Sequence, residues 1–177
     1  KTIKVMLNNL TSKVIKGYAS SKLAKGDDND CFVRAMASST DMNYNIVHKF
    51  VEDKFGRVYG KGTPNIMITT NMMKYEDKGM VIGDCKFDVR CLSKKELTNQ
   101  YKVKGEIIDR KKTVKSFISS NPKGTFVVTV SGHAFTVKNG DIIDNFDEEF
   151  RPTRKVLNAY KIEDVTPKKN IQLEFKF

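Results

Sequence analysis

The chain has 177 residues, 39% of them apolar, and 32 Lys and Arg against 21 Asp and Glu give it a formal charge of +11. A chain of this length buries a core of its own, so a single domain over residues 1–177 needs no disulfide or metal to hold it. Three cysteines, Cys31, Cys85 and Cys91, are an odd number without zinc spacing, which excludes a disulfide framework and reads as free thiols in a reducing compartment, a cytoplasm or the inside of a particle.

No apolar run is long enough to span a membrane, and no signal peptide is read. The excess of positive charge favours an acidic protein surface or nucleic acid as partner. The lysines are nevertheless spread through nearly every segment, and no basic-aromatic motif, zinc finger or glycine-rich phosphate loop concentrates them.

Ile3, Val5 and Leu7 alternate with polar neighbours and predict a strand over 1–7, with a second over 11–18. Residues 20–30 form a polar loop that ends at Asp30, a good N-cap. From Cys31 the apolar residues Phe32, Val33, Met36 and Ala37 recur at helical spacing. A second helix is predicted over 45–55, with Ile46, Val47, Phe50, Val51 and Phe55 as its apolar face and Gly56 as its stop. His48 falls between those positions and is expected to be exposed. Gly60, Gly62 and Pro64 break the chain before a third helix over 66–75, whose Met67, Met72 and Met73 fill core or offer an adaptable surface.

A strand is predicted over 79–89, a short helix over 93–99 and another helix over 113–119. Pro122-Lys123-Gly124 is turn chemistry, after which Phe126, Val128 and Val130 alternate with Val127, Thr129 and Ser131 in a strand. A further strand over 133–137 meets Asn139-Gly140, a strong hairpin signal, and continues over 141–144. Strands over 156–162 and 171–177 close the chain. Helices first and antiparallel strands after predict an α+β fold.

Two positions invite chemistry. Cys31 lies in the first turn of its helix, where free N–H groups and the helix dipole favour a thiolate, opposed by Asp27, Asp28 and Asp30. The position also suits a small buried side chain, the reading given to Cys85 and Cys91. Across Asn139-Gly140, a strict two-residue register sets His133 opposite Phe146, with Asp144 its diagonal neighbour at about 7 to 8 Å. A carboxylate there fixes the imidazole in one tautomer and makes it a better base.

Asn29-Asp30-Cys31-Phe32-Val33-Arg34-Ala35 resembles the Asp-Cys-Val-Val-Arg-Ala opening of small papain-like cysteine peptidase domains found in bacterial and phage genomes. The run from Gly124 to His133, then Asn139-Gly140 and Asp144-Asn145-Phe146-Asp147, is similar to the histidine and aspartate motifs of the same group. Phe55-Gly56-Arg57 and Gly60-Lys61-Gly62-Thr63 fit it loosely. The resemblance spans Asn29 to Asp147 and implies N-terminal helices packed on a C-terminal antiparallel sheet. By position it makes Cys31 the nucleophile, His133 the base and then acid, and Asp144 the group that orients the imidazole under a shielding Phe146.

Where papain has its oxyanion glutamine, six residues before the cysteine, this chain has Lys25. The oxyanion would then fall to the Cys31 N–H and to the nearest amide, Asn29. The implied activity is cysteine hydrolysis of a peptide, isopeptide or cell-wall amide without metal or cofactor. The alternatives are a catalytically weak or inactive papain-like domain with a virion, structural or host-protein-binding role, and a basic nucleic-acid-associated domain.

Overall fold

The computed structural model describes residues 15–143 and 152–167, so the strands expected over 1–7 and 171–177 lie outside the described residues. Within them the chain forms α1 (Lys22–Lys25), α2 (Cys31–Thr40), α3 (Tyr44–Phe55), α4 (Asn65–Lys78), β1 (Met80–Ile82), β2 (Cys85–Cys91), α5 (Lys94–Leu97), β3 (Thr98–Val103), β4 (Glu106–Lys111), α6 (Val114–Ser120), β5 (Thr125–Val130), β6 (His133–Lys138), β7 (Asp141–Ile143) and β8 (Asn158–Asp164).

This is the α+β arrangement read from the sequence. Six strands form an antiparallel sheet in the order β1-β2-β8-β5-β6-β7, and β3 and β4 form a separate ribbon.

Strand alternation decides where the two cores lie. On β5, Val127 joins the core beneath the early helices with Phe32, Val33, Met36, Tyr44 and Val47, while Phe126, Val128 and Val130 face a second core with Val114 and Phe117 of α6. The sheet is therefore covered on both faces, by α2 on one and α6 on the other, rather than by N-terminal helices alone. Burial on both faces explains why β5 carries almost no exposed residue.

Several predicted boundaries move for local reasons. Of the strand expected over 11–18, residues 15–18 lie in a bend and turns, and 11–14 lie outside the described residues. The strand over 79–89 is a hairpin, because Gly83 takes a φ of 57° and turns the chain. The strand at 156–162 begins at Asn158. The β3–β4 ribbon was not anticipated; its alternation is blurred by a largely polar sequence exposed on both faces.

Candidate active site

Cys31 is the first residue of α2 and is half-buried at the rim of the core beneath the helices. Asp30 holds the N-cap position, but its carboxylate makes no bond to the helix N–H groups. It accepts instead from the Tyr44 hydroxyl at 2.7 Å and pairs with Arg34 Nε at 3.1 Å. The first intrahelical bond runs from Arg34 N to the Asp30 carbonyl at 2.9 Å. The N–H groups of Cys31, Phe32 and Val33 precede it, so the positive end of the helix dipole lies at the turn that Cys31 opens, without a capping carboxylate.

α2 lies across β6, and two hydroxyls lock the crossing. Thr136 Oγ1 donates to the Ala35 carbonyl at 2.7 Å, and Ser38 Oγ stands 2.6 Å from Thr136 Oγ1. All three residues are buried. The bond fixes the turn after Cys31 against the strand that His133 opens.

His133 is half-buried and closes the two-residue turn Ser131-Gly132, paired with Val130. Its ring stacks on Phe135 with centroids 6.1 Å apart and planes 22° apart. Ala134 and Thr136 point toward α2, so strand alternation sets His133 with Phe135 on the other side. The imidazole thus sits at the end of the strand. The elements that carry the two residues are in contact, but α2 packs on the face of the sheet opposite the one that alternation assigns to the His133 side chain.

The register Lys138↔Asp141, Val137↔Ile142 and Thr136↔Ile143 is the strict two-residue one expected across Asn139-Gly140. Asn139 and Gly140 both take positive φ, 52° and 86°, as a type I′ turn requires. Asn139 also ties the turn down, donating from its backbone to the Gly124 carbonyl at 2.8 Å while its side chain accepts from Gly124 N at 3.0 Å. Asp144 and Phe146 lie outside the described residues.

The loop before Cys31 rests on a buried polar network that the sequence reading missed. Asp27, His48 and Arg57 have no side-chain surface exposed. Asp27 Oδ2 accepts from Arg57 and lies 3.1 Å from His48 Nε2. Arg57 also donates to the Asn29 carbonyl at 3.3 Å, and Asn29 N donates to Asp27 Oδ1 at 3.2 Å. His48 Nε2 stands 3.2 Å from Arg57 Nη1 as well; it can donate to Asp27 or accept from Arg57, but not both in one tautomer.

His48 is therefore not the exposed residue expected. The buried stripe of α3 is Tyr44, Val47, His48, Val51 and Phe55, with Ile46 left 47% exposed. Spacing of three and four from Tyr44 was the signal that could have found it.

These contacts shift the loop's two buried acids in opposite directions. Burial raises the Asp27 carboxyl, but the hydrogen bonds from Arg57 and His48 and the Arg57 charge outweigh it and hold the group below the ordinary carboxylate range. Burial pushes Asp30 above that range despite the Arg34 charge and the Tyr44 hydrogen bond. Burial first, then the Asp30 charge, keeps the Tyr44 phenol protonated far beyond its usual range.

Asn29, the candidate oxyanion donor, is exposed and gives one amide hydrogen to the Gly60 carbonyl at 2.9 Å. Lys25 ends the exposed helix α1. Of the remaining thiols, Cys91 is pushed up to about 12 by burial and then by Glu76. Among the described residues no cluster of His, Cys, Asp or Glu fits a metal ion.

No protein-family model matches the chain, and comparison with curated proteins and with solved structures gives no significant match.

Proposed function

We propose that this protein is a papain-like cysteine hydrolase acting on an amide or ester of a peptide or protein. The observation that carries the reading is the seating of Cys31: a half-buried thiol at the uncapped N-terminus of a ten-residue helix, packed on the strand whose first residue is His133. A sulfur there gains from the helix dipole, and a histidine at the neighbouring strand end supplies the proton acceptor.

In this mechanism His133 takes the Cys31 proton, and the thiolate attacks the substrate carbonyl carbon. The oxyanion is met by the Cys31 N–H and the second hydrogen of the Asn29 amide. His133, which the papain-like reading pairs with Asp144, returns the proton to the leaving amine or alcohol as the carbon–heteroatom bond breaks. It then takes a proton from water, whose oxygen attacks the thioester to release the acid and restore the thiol. No step calls on a metal or cofactor. The buried Asp27–Arg57–His48 network holds the approach loop, so that the Cys31 N–H stays aimed at the developing oxyanion.

A non-catalytic binding role is the competing reading, supported by α4, where Ile66 is 69% and Met73 56% exposed. Reaction with a p-nitrophenyl ester separates the two. The hydrolase gives a burst stoichiometric with protein and an acyl adduct on Cys31 that hydroxylamine removes, and Cys31→Ser gives neither. An acyl adduct spread over surface lysines, with no burst, would sink the proposal.

A further inference from the structure

Strands β3 and β4 form a ribbon separate from the main sheet. Lys104 and Gly105 join them with φ of 50° and 90°, a type I′ turn. Neither face of the ribbon is well covered, and Ile107, at 70%, is the most exposed large apolar side chain among the described residues. A two-stranded ribbon is marginal by itself in water, and its outer edge offers unpaired N–H and C=O groups to another strand.

The turn makes Val103 and Glu106 a hydrogen-bonded pair. Glu106, Ile108 and Arg110 then turn their main-chain groups toward β3, while Ile107 and Asp109 turn theirs to the open edge. The side chains of Glu106, Ile108 and Arg110 share one face, where Arg110 also lies 5.5 Å from the centre of the Tyr101 ring. Acid, apolar and base in that order are self-complementary when the strand is reversed. A second β4 laid antiparallel with Ile108 opposite Ile108 sets Glu106 opposite Arg110 twice. In the same register Ile107 and Asp109 exchange main-chain hydrogen bonds between copies. Among the described residues Glu106 has no ion pair that this would break.

We propose that β4 is the edge on which two copies of this chain pair, joining their ribbons into one four-stranded antiparallel sheet about a two-fold axis at Ile108. The inference is independent of the hydrolase reading.

Light scattering and sedimentation over a concentration series test it. The wild type rises from 20.1 kDa toward twice that mass. Ile107→Pro removes an outward N–H without touching a β3 bond and leaves a monomer. Glu106→Arg or Arg110→Glu alone weakens pairing by roughly tenfold, and the two together restore it, because the opposite-charge pairs are re-formed with their signs exchanged. Thermal melts show whether each variant stays folded; the charge exchange decides the matter where Ile107→Pro does not. A wild type that stays monomeric throughout, as expected if an extended peptide or nucleic acid occupies the edge, overturns the proposal. So does a double variant as weak as the singles.

Discussion

Arg57 donates through one nitrogen to the Asp27 carboxylate and to the Asn29 carbonyl, so a single buried guanidinium fixes the start and middle of the loop that ends at Cys31. Replacing it with Met leaves the Asp27 charge buried without a cation. The expected loss is about 3–5 kcal/mol in urea unfolding. Arg57→Lys recovers only part of it, since an ammonium has no second nitrogen to stand against His48 Nε2 while the first meets Asp27 and Asn29. A loss below about 1 kcal/mol would place Asp27 in water instead.

Asp27 and Asp30 should give stability opposite dependences on pH. The Asp27 carboxyl lies below its ordinary 3.8, so the stability it contributes is present above that value and is lost as pH falls through its folded pKa. Asp30 lies above 3.8, so folding binds its proton, and stability declines as pH rises from 3.8 through the folded value. In urea midpoints measured against pH, Asp30→Asn should remove that decline and Asp27→Asn should remove the acid-side loss. Identical pH curves for the two variants would refute the assignment.

Thr136→Val should cost about 1–3 kcal/mol, because the buried Ala35 carbonyl loses the shorter of its two side-chain donors, keeping Ser38 Oγ at 3.2 Å, and Ser38 loses its hydroxyl neighbour. Combined with Ser38→Ala, the loss should fall short of the sum of the single losses, since both changes cut one contact. Strict additivity would mean that the hydroxyls do not couple helix to strand.

Cys91 should resist iodoacetamide below pH about 10, since burial and then the Glu76 carboxylate hold its thiol near 12. Glu76→Gln should speed its labelling. An unchanged rate would show that burial alone controls this thiol.

Much of this molecule was legible in its residues where local periodicity and tertiary burial agree. Cys31–Thr40 and the Asn139-Gly140 turn were found because apolar spacing and turn chemistry act within a few residues. The buried network was not, since Asp27, His48 and Arg57 are polar and each alone reads as surface; only their meeting offsets the cost of burying them. His48 shows the failure at one position: phase along α3, counted from Tyr44, puts it inward, while residue type argues outward. The ribbon was missed because both its faces stay wet, which leaves no alternation to read.

The most direct test of the proposed chemistry is the alkylation of Cys31 by iodoacetamide at pH ~6.5, followed site by site in the wild type and in His133→Ala. The account predicts that Cys31 reacts more than about tenfold faster than Cys85 or Cys91, and that His133→Ala removes most of that advantage. Slow labelling of all three thiols at similar rates, unchanged by His133→Ala, would contradict it.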